Sequence, residues 1–240
     1  MNASSPMPSR VPTGVSPLDE SIEGGLPPLR VTLVTGAAGT GKTTLALQFL
    51  AEGVRAGESG VFIALDQKPG HVAEAAARFG WPVDAGGGPA GDAVIVLLDG
   101  SPALSLMRQR AVDARAVMSD LIPHLRAASA RRLVIDALPG LVPPGLSEAD
   151  ESDFLRDLVF ALEDNLGCTT LVVGPDGDPR AARISAVMAR LATGVIDVRT
   201  REQEGRLARH LMVRKMRATI AETREQAFEI GPAGAVMLQP

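Results

Sequence analysis

Aromatic residues are nearly missing from this chain: among 240 residues there is no Tyr, one Trp (Trp81) and only six Phe. A surface that stacks single-stranded bases on aromatic rings has little to build with. The core must therefore come from Leu, Val, Ile and Ala, which is the composition of buried parallel strands and small-residue helices. Cysteine is scarcer still, since Cys168 stands alone. That excludes an intrachain disulfide or a multi-cysteine metal site and fits a reducing, cytoplasmic setting. His71, His124 and His210 are scattered without a second ligand at helical or loop spacing, so no zinc centre is expected. No uncharged apolar run approaches the ~18 residues of a membrane span. The first dozen residues carry Arg10 but no apolar stretch of the export type, so neither a span nor an export signal is expected. An excess of positive charge is also lacking: 24 Lys and Arg face 28 Asp and Glu, for a net charge of −4. This argues against a surface that traps nucleic acid as a whole.

What is present suits an ordinary globular core, with 45% hydrophobic and 22% charged residues. Residues 1–12, rich in Ser and Pro, read as a flexible lead-in, and residues 13–240 as one domain. Short apolar runs at Val31–Gly36, Val61–Leu65, Ala93–Leu98, Leu133–Leu138 and Thr170–Gly174 read as strands. Between them, Lys42–Ala56, His71–Phe79, Ala111–Ala128 and Glu151–Leu166 place apolar residues three or four apart, as crossover helices do. The expected fold is α/β, a mostly parallel central sheet with helices on both faces. Gly194–Thr200, Ala208–Met216 and the last apolar runs read as antiparallel edge strands. Ala85–Gly91 reads as a loop.

One segment carries chemistry. GAAGTGKTT, Gly36 to Thr44, follows the first strand and opens an amphipathic helix. Gly36, Ala37, Ala38, Gly39, Thr40 and Gly41 form the loop, whose glycines let backbone N–H groups curl around a polyphosphate without Cβ clashes. The helix N-terminus at Lys42, Thr43 and Thr44 adds positive potential. Lys42 is placed to reach the β and γ oxygens, and the Thr43 hydroxyl to ligate Mg²⁺. Asp136 closes the run RLVID at the end of a strand, where a carboxylate would hold Mg²⁺ through its water shell opposite Thr43. The ligand expected is ATP with Mg²⁺.

These pieces together resemble the RecA-like P-loop ATPases, and closely the KaiC-like branch. The resemblance runs from VPTGVSPLDESIEGGLPPLRVTLVTGAAGTGKTTLALQFL through GVFIALDQKPGHVAEAAARFGW to EGRLARHLMVRKMRATIAETREQAFEIG. It implies a homo-oligomer, commonly a hexameric ring, with ATP held between neighbouring subunits. The family's catalytic carboxylates, a Glu-Glu pair after the second strand, fall on Asp66 and Gln67. Asp66 is one methylene shorter than Glu, and Gln67 cannot accept a proton, so hydrolysis is expected to be slow or absent. At the fifth strand's end, where the family carries Thr or Glu side chains that sense the nucleotide, this chain has VVGPDGDPR. The family's Lys-x-Arg pair, which reaches the neighbouring subunit's phosphates, falls on Lys215 and Arg217. There an Arg opposite a γ-phosphate would neutralise transition-state charge. A basic edge strand kept for solubility is the plainer account of the same two residues.

The leading expectation is an ATPase with weakened catalytic carboxylates, whose nucleotide state switches its own assembly or an unidentified protein partner in a signalling role. A scaffold that binds ATP and hardly hydrolyses it is the alternative. A recombinase-like DNA-dependent ATPase fits the fold but meets the acidic balance and the shortage of aromatics. The Arg-rich stretch from Arg108 to Arg132 is expected to be a solvated helix face.

Overall fold

Apolar runs of β-branched residues become strands here, and the amphipathic segments between them become the helices that cover the sheet. In this computed structural model, residues 9–84, 92–100, 114–203 and 205–238 are described. The strands are β1 (Val31–Gly36), β2 (Gly60–Ala64), β3 (Val83–Asp84), β4 (Ile95–Asp99) and β5 (Arg132–Asp136), then β6 (Thr169–Pro175), β7 (Gly194–Gln203), β8 (Arg206–Met216), β9 (Gln226–Gly231) and β10 (Gly234–Met237). The helices are α1 (Ser16–Ser21), α2 (Lys42–Arg55), α3 (Pro69–Ala77), α4 (Ala114–Ala127), α5 (Glu148–Asn165) and α6 (Pro179–Leu191). The strands form one sheet in the order β10-β9-β8-β7-β1-β6-β5-β2-β4-β3. From β7 to β3 all neighbours are parallel, and β8, β9 and β10 add antiparallel pairs at one end.

Two expectations need correction. The sequence reading passed over α6, although Asp178 caps its N-terminus by accepting from the N–H of Arg180 and of Ala181, and Pro179 opens its first turn. Without that crossover, Gly194–Thr200 looked like the antiparallel partner of its neighbours. With α6 in place, β7 returns on the same side of the sheet and runs parallel to β1, with Thr35 level with Asp197. The other boundaries shift by one to three residues, and Leu138, expected at a strand end, instead opens a 3₁₀ turn. The Ala85–Gly91 loop and residues 111–113 of the helix expected at Ala111–Ala128 lie outside the described residues.

Each sheet face has its own apolar layer. α2 and α3 bury Leu45, Leu47, Phe49, Leu50, Val72 and Ala76 against Val34, Phe62, Val134 and Val173. α4, α5 and α6 bury Val117, Met118, Leu155, Leu158, Leu162, Ile184 and Met188 against Leu33, Ile63, Ile135 and Val172. Trp81 is buried and stacks on Phe79 at 4.5 Å between centroids.

The helix that carries Lys42 and Thr43 is anchored at several points. The side-chain amide of Gln48 in α2 donates to Gly14 O and Ala235 O and accepts from the N–H of Ala235. It therefore bonds both backbone groups of a residue in β10, at the sheet's end, much as another strand would. Arg132 departs from its expected place on a solvated basic face. It is 2% exposed, donates to Glu58, Pro12 O and Phe49 O, and lies over the Phe49 ring. Residues 9–12, expected to be loose, are engaged too: Val11 bridges Leu26, and Arg10 donates to Thr219 and Glu23. Residues 1–8 lie outside the described residues.

In α1, the Asp19 carboxylate accepts from the N–H of Thr13 and of Gly14. Burial nevertheless pushes its pKa up to about 6, and the nearby Glu52 adds to the effect. A carboxyl whose folded pKa lies above its unfolded one contributes stability that is full below pH ~4 and lost as pH rises through ~6. Urea midpoints for wild type and Asp19→Asn, taken from pH 4 to 7, are expected to show the wild type losing roughly 2 kcal/mol relative to the variant over that window.

Candidate nucleotide site

The site forms at the carboxyl ends of β1, β6, β5 and β2, four adjacent parallel strands, which is where open α/β sheets bind ligands. Chain curvature comes first. Gly36, Gly39 and Gly41 have φ of 144°, 78° and 107°, values that L side chains rarely adopt. At Gly36 the requirement is also steric, because a Cβ would lie 2.0 Å from Val198 O on β7. Gly41 precedes the first helical residue, and a Cβ there would lie 2.9 Å from Ile230 Cδ1. Ala37, Ala38 and Gly39 form the exposed crown of the loop, whereas Thr40 is buried and donates to Ala37 O at 3.0 Å. Thr44 is partly exposed in the first turn of α2.

The functional side chains follow from that curl. Lys42 is 8% exposed and folds back over the loop, its Nζ donating to Gly36 O at 2.7 Å and Ala37 O at 2.6 Å. Burial lowers its pKa, and the carboxylates of Asp136 and Asp176 pull it back up. The Thr43 hydroxyl donates to Asp136 Oδ2 at 2.7 Å, so the two sequence-predicted metal ligands meet. Asp136 is buried; burial raises its pKa, a shift opposed by the Thr43 hydroxyl, reinforced by Asp66 and opposed by Lys42. Asp66 stands beyond β2, next to β5, where the N–H of Leu65 donates to Asp136 O. Its tip opens to solvent, but the surrounding walls desolvate it enough to raise its pKa.

A family model described as "ATPase: KaiC" matches residues 11–240. The chain belongs to the KaiC ATPase family. Relatives of similar length agree: it is 30% identical over 238 residues to a UPF0273 protein of Thermotoga maritima, covering 95% of each chain. It is 32% identical over 244 residues to a UPF0273 protein of Methanopyrus kandleri, covering 94% of this chain and 90% of the relative. The crystal structure of a KaiC-like protein from Pyrococcus horikoshii superposes with a TM-score of 0.72 at 29% identity, covering 96% of this chain and 99% of the other. The mostly parallel sheet with antiparallel C-terminal strands is thus the RecA-like P-loop fold of the KaiC family.

In this KaiC-like chain, Lys215 and Arg217 are not brought to their own phosphate loop. Lys215 is level with Val195 near the start of β7, whereas it is Asp197, two residues further along that strand, that is level with Thr35 just before the loop. Lys215 Nζ donates to the carbonyls of Ala189 and Arg190, and the Arg217 guanidinium to those of Arg190 and Leu191, at the C-terminal end of α6. Asp176 was missed in the sequence reading. It follows Pro175, which is level with Gly36, and its charge acts on Lys42. The signal available was its place directly after a strand adjacent to β1, once that strand order was known.

Among the described residues no three His, Cys, Asp or Glu side chains are grouped to hold a metal by themselves. One hydroxyl and one carboxylate suit Mg²⁺, which keeps several waters and shares its coordination with substrate phosphates. The Gly36 contact yields a test. Gly36→Ala should push the loop off β7 and abolish Mg-nucleotide binding by calorimetry, with a stability loss of roughly 2 kcal/mol or more in urea unfolding.

Proposed function

We propose that this KaiC-family chain binds Mg-ATP at Gly36–Thr44, hydrolyses it slowly, and through its nucleotide state switches its own assembly or a protein partner. The observation that carries this reading is the Thr43–Asp136 hydrogen bond beside a loop of three positive-φ glycines over which Lys42 folds. Loop N–H groups and the Lys42 ammonium bind and orient the phosphates. Mg²⁺, when bound, would neutralise phosphate charge, with Thr43 and Asp136 as the residues that hold it. Asp66 would take the proton of an attacking water, as an exposed carboxylate whose charge acts on Asp136. Lys215 and Arg217 would reach the phosphates of a neighbouring copy, making the complete site a product of two chains.

The second reading, a nucleotide-bound scaffold with little turnover, is favoured by Gln67, which cannot accept a proton, and by the shorter reach of Asp66. Both readings predict that Lys42→Ala weakens Mg-ATP binding by about 10- to 100-fold, the worth of a charge-assisted contact. Calorimetry checks this, and an unchanged affinity would remove the phosphate-loop assignment. Asp66→Ala should leave binding intact and lower phosphate release by ~10²-fold or more. Turnover at the wild-type level in Asp66→Ala would exclude Asp66 as the base, and strong stimulation by single-stranded DNA would bring the recombinase reading forward. For the shared site, mixing Lys42→Ala chains with Lys215→Met/Arg217→Met chains should restore phosphate release that neither shows alone, since one supplies cations to the other's intact loop.

A further inference from the structure

Helix α6 touches the two halves of such a shared site from opposite ends. Its N-terminus begins three residues after Asp176. The turn between them is not loose, because Asp178 accepts from the N–H of Arg180 at 2.9 Å and of Ala181 at 3.1 Å. Ser185 Oγ, a turn and a half further on, donates back to Pro175 O at 2.9 Å. A Cβ on Gly174 would sit 2.6 Å from that same Ser185 Oγ, so the end of β6 and the middle of α6 are closely packed. The 13 residues of α6 span about 20 Å at 1.5 Å per residue. At the far end, four donated hydrogen bonds from Lys215 and Arg217 land on the carbonyls of Ala189, Arg190 and Leu191. These are among the last carbonyls of a helix, which lack intrahelical partners and carry the negative end of its dipole, and cations are held there favourably.

We propose that α6 is a lever between the two halves of the nucleotide site: what occupies a chain's own phosphate loop sets the position of the Lys215 and Arg217 that the same chain presents to its neighbour. The inference rests on the reading of those two residues as cations that act in trans. Its drive is charge. The register places Asp176 just past Gly36 on the adjacent strand, beside the loop that Lys42 covers. A γ-phosphate bound there shares Lys42 with Asp176 and repels its carboxylate, whereas a diphosphate lacks that group. The turn at residues 176–178 and the first turns of α6 move together, because Ser185 and Asp178 tie them. Asp176 is a positioning residue on this account, acting through the helix rather than on the reacting atoms. The opposite end of α6 grips the cations by its carbonyls, so a shift of the helix moves them or loosens their hold. Coupling between neighbouring subunits then requires α6 to take two positions, one for each state of the loop's nucleotide.

Hydrogen–deuterium exchange on the full-length protein tests this, with and without a slowly hydrolysed ATP analogue plus Mg²⁺ and with binding measured by calorimetry under the same conditions. In wild type the analogue should change exchange at residues 188–193, at the far end of α6, and the diphosphate should not. Asp176→Asn should keep binding and lose that change. Ser185→Ala, which cuts the bond to Pro175 without touching the loop, should lose it too and serves if Asp176→Asn fails to fold or bind. Bound analogue with no change at residues 188–193 in wild type overturns the proposal. So does a change of wild-type size in both variants, since a neighbour's contact alone would then account for it. No binding by folded wild type removes the reading on which the proposal rests, and the proposal with it.

Discussion

The hydrogen bond from Thr43 Oγ1 to Asp136 Oδ2 joins the first turn of α2 to the end of β5, and the geometry of the nucleotide edge depends on that distance being held at 2.7 Å. Neither residue can be placed alone. Thr43 is fixed by the helix, which the chain enters only through the left-handed turn at Gly41. Asp136 is fixed by a strand with neighbours on both sides. The bond therefore reports that loop, helix and sheet have been assembled in one register, and it opposes the burial that raises the Asp136 carboxyl.

That register is guarded from further away. Gln48, a turn and a half along α2, links the helix to the N-terminal segment at Gly14 and to β10 at Ala235. Arg132, at the opposite end of the strand that carries Asp136, binds the carbonyls of Phe49 in α2 and Pro12 in the lead-in. A buried guanidinium costs several kcal/mol to desolvate and is tolerated only when its donors are satisfied. Here they are spent on a carboxylate and on carbonyls from separate elements, so β5 is connected to α2 at both ends of the strand, to the helix's first turn and to its middle.

Membership of the KaiC family and the RecA-like fold settle the class of the protein, while the departures inside the site give it its individual character. Gln67 takes a position where a carboxylate would act, and Asp66 offers a shorter side chain. Asp176 follows the end of β6, and its charge acts on Lys42. These residues lie outside Gly36–Thr44 and leave the phosphate-loop motif itself intact.

The phosphate loop was legible from sequence because its chemistry is local: glycines at fixed spacing, a lysine and a hydroxyl on consecutive residues, a strand before and a helix after. The alternating strands and helices, and with them the α/β class, were legible for the same reason, as periodicity is a property of neighbouring residues. What lay beyond reach depends on which distant segments touch. Arg132 reads as one more member of a basic stretch until the fold buries it against Phe49 and Pro12. The parallel sense of β7 follows from a crossover helix whose apolar face, Ala181, Ile184, Val187 and Met188, has meaning only against the sheet it covers. Asp176 beside Lys42, and Lys215 and Arg217 at the far end of α6, are matters of strand order. Sequence determined which residues form the phosphate-loop motif, and tertiary structure decided which charges stand next to it, because electrostatic neighbours are set by distance in space.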